Sequence, residues 1–92
     1  MNQLEVLRES LGQCDEIVLD ALLMRNRIVE DIMAYKEAND IPILQPEQEA
    51  KQREWLNRRM EGKRHKDEVM AVFEEITRNS KKIQARKLFD YN

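Results

Sequence analysis

The chain contains almost none of the residues that punctuate or cross-link a fold. Its 92 residues include two glycines, two prolines, one cysteine and one histidine, and aromatics make up 5%. So little glycine and proline leaves room for few turns, which points to long helices rather than a sheet. The lone Cys14 excludes an intrachain disulfide and a cysteine-based zinc site, and it fits a reducing compartment. No stretch approaches about 18 consecutive apolar residues, so no membrane-spanning helix and no membrane partner are expected. The first ten residues lack the basic-then-apolar order of a signal peptide, and a cytoplasmic protein is expected. Neither sign of charge dominates: 16 Lys and Arg face 18 Asp and Glu. Nothing in that balance calls for a nucleic acid. There is no metal-ligand cluster and no glycine-rich phosphate loop, so neither a metal nor a cofactor is expected.

What is present is charge, at 37% of residues, interleaved with apolar residues at helical spacing. Leu4, Leu7, Leu11, Cys14, Val18, Ala21, Arg25, Ile28, Ile32 and Tyr35 follow one another at intervals of three and four, the seam of a helix packed lengthwise on another helix. The spacing predicts a first helix over about 3–39. At ~1.5 Å per residue it would be about 55 Å long, wider than a globule of this size. Such a helix must protrude, and its seam must meet a second copy. Asn39, Asp40 and Pro42 stop it. Pro46, with Glu47 and Glu49 behind it, opens a second helix over about 46–61, closed by Gly62. A third helix is expected over about 67–89, with Val69, Phe73, Ile76, Ser80, Ile83 or Gln84, and Leu88 on its inner stripe. The reading is an all-α chain of three helices forming one domain over 1–92.

The informative residues are the polar ones that interrupt these stripes. Arg25 occupies a seam position, and a buried charge is costly unless paired. Either it forms an interhelical ion pair that fixes register or it binds a ligand. Ser80 and Gln84 lie one turn apart on one face, and on their own they favour a structural reading. Arg25 and Lys36 are eleven residues apart, which leaves them about 20° apart around the helix and about 16 Å apart along it. Two long cations so placed can reach one small anion from opposite ends. Arg8 lies about 25 Å from Arg25 along the same helix and cannot join that site in its own chain. In an antiparallel pairing of two first helices it could enter the partner's site.

The remaining motifs read as structural. His65, within Lys63-Arg64-His65-Lys66, is a solvated loop residue. Lys81-Lys82 and Arg86-Lys87 are expected on the outer face of the third helix. Cys14 and Trp55 are expected to pack, and Met24, Met33, Met60 and Met70 to fill gaps at helix contacts.

Taken together, these residues resemble the all-helical, AroQ-class chorismate mutases over almost the whole chain. Leu7-Arg8, Cys14-Asp15-Glu16, Leu22-Leu23-Met24-Arg25-Asn26-Arg27 and Lys36 follow the family pattern in the first helix. Ile41-Pro42-Ile43, Pro46-Glu47-Gln48-Glu49, and Ser80 with Gln84 after Phe73 continue it. The resemblance implies an intertwined, domain-swapped homodimer that rearranges chorismate to prephenate in phenylalanine and tyrosine biosynthesis. It implies that Arg25 binds one substrate carboxylate and the partner copy's Arg8 the other. It further implies that Lys36 and Gln84 flank the ether oxygen, that Glu49 holds the ring hydroxyl, and that Ser80 helps seat a carboxylate. Such mutases also form the amino-terminal part of bifunctional enzymes that process prephenate further.

Two positions depart from the pattern. Gln45 stands where the family often has an acid, and can still accept a hydrogen bond from the hydroxyl. Gln48 stands where the family often has an arginine, which implies weaker substrate binding and a raised KM. The implied reaction is unimolecular and needs no nucleophile, only a compact reactive conformer and donors aimed at the ether oxygen. Three other readings share the pattern: a noncatalytic helical homodimer module, a mutase that has lost activity, and an isochorismate-pyruvate lyase of the same fold.

Overall fold

A computed structural model describes residues 2–90, with side chains described through Arg86. It holds three helices, α1 (Gln3–Ala38), α2 (Pro46–Met60) and α3 (Lys66–Asp90), and no strand among the described residues. The chain measures 56 × 30 × 14 Å along its principal axes, so the long dimension is α1 itself. None of the described helices is long and apolar enough to cross a membrane.

Each helix boundary has a local cause. The Asn2 side chain caps α1 by accepting from the Glu5 amide at 2.8 Å, which satisfies one of the free donors of the first turn. At the other end Asp40 takes a left-handed conformation, φ 54°, and the Ile41 amide donates back to the Lys36 carbonyl at 2.9 Å. That six-to-one bond is a Schellman closure, with Asp40 in the position that usually belongs to glycine. It reverses the chain directly below Lys36, before Pro42 is reached. Gln45 caps α2, its carbonyl accepting from the Gln48 and Glu49 amides at 3.0 and 3.3 Å. Pro46 fills the first helical position, where a missing N–H costs nothing. Past Met60, Gly62 turns left-handed, φ 72°. Exposed His65 does the same, φ 61°, immediately before α3.

α1 packs on α3 through its second half alone. Leu22, Arg25, Asn26, Val29, Met33 and Lys36 are the α1 residues drawn at least partly out of solvent there, with Glu37 beside them. This face is offset from the seam expected from sequence. Leu4, Leu7, Leu11, Val18, Ile28, Ile32 and Tyr35 of that seam remain exposed, as does every residue from Asn2 to Ala21. α1 thus carries two stripes, one against α3 and one facing outward, and Arg25 stands where they meet.

Among the described residues the buried set is small and half polar: Val29, Met33 and Leu56, with Lys36, Ser80 and Gln84. A chain of this size has little interior to begin with, and this one spends half of it on a polar site. Several expected packing residues are exposed within one chain, namely Cys14, Met24 and Trp55. The reason is that the described helices present no third layer over them. Of the alternatives at the end of the α3 stripe, Gln84 is buried and Ile83 only partly so. Leu88 and Lys87 lie outside the described side chains.

Candidate active site

Three stripes, one from each helix, face a common cleft of about 460 Å³. α1 contributes Arg25, Val29, Ile32 and Lys36. The start of α2 contributes Gln45, Gln48, Glu49 and Gln52, and α3 contributes Thr77, Ser80, Lys81 and Gln84; Ile43 closes the connector side. The α1 residues recur at spacings of four, three and four, and the other two sets at three, one and three, so each set lies on one helix face. The α2 and α3 stripes run antiparallel, with Gln52 meeting Thr77 at 3.1 Å and Glu49 meeting Lys81 at 2.7 Å.

The expected residues converge here with one exception. Arg25, Lys36, Gln45, Glu49, Ser80 and Gln84 all line the cleft. Arg8 does not: it is exposed in the first turns of α1, far along the rod. Arg25 donates a hydrogen bond to Ser80 Oγ, which itself donates to the Ile76 carbonyl at 2.9 Å. Partial burial lowers the Arg25 pKa from its ordinary value, because desolvation disfavours the charged form. Its hydrogen-bond partner is a neutral hydroxyl, not the carboxylate that an ion pair fixing register would supply.

Lys36 is 8% exposed. Its Nζ donates to Gln84 Oε1 at 3.0 Å and to the Ile43 carbonyl at 2.9 Å. Gln84 Nε2 reaches the Ser80 carbonyl at 3.5 Å. The Schellman closure at the end of α1 folds the connector back so that the Ile43 carbonyl meets Lys36, and the same turn carries Gln45 to the cleft rim. Two cations stand at opposite ends of the cleft, bridged by neutral hydroxyl and amide groups, an arrangement that can receive one small anion. Among the described residues no group of three or more His, Cys, Asp or Glu is placed to hold a metal.

The structure corrects one assignment. Lys81, expected on the outer face of α3, turns into the cleft and pairs with Glu49. The dipeptide Lys81-Lys82 reads as a solvated pair, and only Lys82 is exposed. Gln52 and Thr77 were also not singled out from sequence. The available signal was the polar quartet Thr77, Ser80, Lys81 and Gln84 at spacings of three, one and three, matched by Gln45, Gln48, Glu49 and Gln52 in α2.

Residues 7–85 match the family model described as chorismate mutase type II. No curated protein and no solved structure gives a significant match to the chain. The match spans α2, most of α1 and α3, and every residue of the cleft, so this chain belongs to the type II chorismate mutase family.

Proposed function

We propose that this cleft carries out the family's reaction, the rearrangement of chorismate to prephenate, with its groups in defined roles. In that reaction one ether C–O bond breaks as one C–C bond forms, and no atom is gained or lost. The protein must therefore hold a flexible dianion in its compact reactive form and stabilise negative charge on the ether oxygen as the bond opens. Arg25 binds one carboxylate through its forked donors, and Ser80 seats it. Lys36 and the Gln84 amide donate to the ether oxygen. Glu49 and Gln45 accept from the ring hydroxyl. The observation that carries this reading is the convergence of Arg25, Lys36, Gln45, Glu49, Ser80 and Gln84 on one small cleft from three separate elements.

The second carboxylate is bound by Arg8 of a second copy. The outward stripe of α1, with Leu4, Leu7, Leu11 and Val18 each at least half exposed, is a large apolar surface for so small a chain. An antiparallel pairing of two α1 rods covers that stripe and brings each amino-terminal half to the other's cleft. The dimer is symmetric, with two sites that each draw on both chains. No cofactor takes part. The single cysteine and the balanced charge fit a cytoplasmic enzyme, either free or as the mutase part of a longer one.

The test is to add purified protein to chorismate and, separately, to isochorismate, following ultraviolet absorbance and identifying the products. Prephenate is expected. Salicylate and pyruvate from isochorismate, with chorismate untouched, would identify a lyase instead, and no turnover of either would leave a noncatalytic module.

A further inference from the structure

We infer that Lys81 is a positioning and specificity-determining residue of the cleft: it fixes the Glu49 carboxylate and supplies the positive charge that Gln48 does not. This deepens the reading of the cleft as a chorismate site and rests on it.

Three observations carry the inference. Lys81 Nζ lies 2.7 Å from Glu49 Oε1, with the two side chains 40% and 29% exposed. A contact this short and partly desolvated is stronger than an exposed surface pair. It ties α2 to α3 across the cleft mouth and leaves the second Glu49 oxygen free to accept from a ligand hydroxyl. The second observation is charge. The lining groups include three cations, Arg25, Lys36 and Lys81, and one acid, Glu49. Glu49 sets a negative charge against a dicarboxylate in this cleft, and Lys81 offsets it. The third is register. Gln48 and Glu49 are neighbours at the start of α2, and Glu49 is where Lys81 docks, so the ammonium lies beside the very turn that carries the neutral Gln48. The cation thus comes from α3 rather than from α2.

A lysine serving only as a surface ion pair makes different predictions from one acting on the substrate. Steady-state kinetics on Lys81→Met, Lys81→Arg, Gln48→Arg and the Lys81→Met/Gln48→Arg double variant separates them. Lys81→Met is expected to raise KM about tenfold, the scale of one charge-assisted contact, with a much smaller change in kcat. Lys81→Arg, which restores the charge, is expected to recover most of that loss. Gln48→Arg is expected to lower KM more in the Lys81→Met background than in the unmodified protein, because either cation answers the same need. The inference is overturned by an unchanged KM in Lys81→Met, by an equal loss in Lys81→Arg, or by effects at 48 and 81 that simply multiply. An unmodified protein that turns over no chorismate overturns the reading of the cleft itself, and circular dichroism of each variant separates loss of fold from loss of binding.

Discussion

Lys36 is the residue at which the local structure and the proposed chemistry meet. It lies in the last turn of α1, it is buried, and it donates to neutral acceptors, the Gln84 side chain and the Ile43 carbonyl. A buried ammonium held by neutral groups retains a strong demand for negative charge. Arg25, half-buried at the other end of the cleft, likewise donates to a neutral group, the Ser80 hydroxyl. Lys36→Ala and Arg25→Ala are each expected to lose at least about a hundredfold in kcat/KM, the usual scale for one donor to a developing charge. Near-normal kinetics in either variant would contradict its role. The donor paired with Lys36 is an amide, which does not titrate, and the guanidinium stays charged, so kcat/KM should change little from about pH 7 to about pH 9. A steep fall just above neutrality in a pH-rate profile would show that another titrating group is essential. At this scale the sequence exposes the site wherever a polar residue interrupts an apolar stripe, as Arg25, Ser80 and Gln84 do. It hides Lys81, because one lysine beside another looks solvated until a facing helix supplies Glu49.

The helices follow from capping and punctuation that are largely visible in the sequence. Pro46 and Gly62 mark the ends of α2, and Asn39 and Asp40 the end of α1. What the sequence does not reveal is how α1 ends: the terminator is not Pro42 but a left-handed Asp40 inside a Schellman closure. That conformation is unfavourable for a residue with a Cβ and natural for glycine. Asp40→Gly is therefore expected to raise stability by up to about 1 kcal/mol in chemical denaturation, and Asp40→Val to lower it by at least as much. Equal stabilities would mean that the turn is not a fixed part of the fold. The expected seam on α1 was also only half of that helix's pattern. A second stripe at the same spacing, through Leu22, Val29 and Met33, is the one that packs on α3. Period alone does not say which of two neighbouring stripes meets which neighbour.

The whole molecule is a rod with a short body at one end, and its exposed stripe is the proposed dimer surface. The central claim is that cations from two copies meet in one cleft, Arg25 and Lys36 from one chain and Arg8 from the other. Mixing two inactive variants tests it most directly. Arg8→Ala and Arg25→Ala, unfolded together and refolded as an equal mixture, would form mixed dimers in which one site carries both changes and the other neither. Random pairing leaves about a quarter of all sites intact. The mixture is therefore predicted to recover up to about a quarter of the unmodified kcat/KM, far above either variant alone. Mixed dimers verified by mass that remain as inactive as the separate variants would contradict the account.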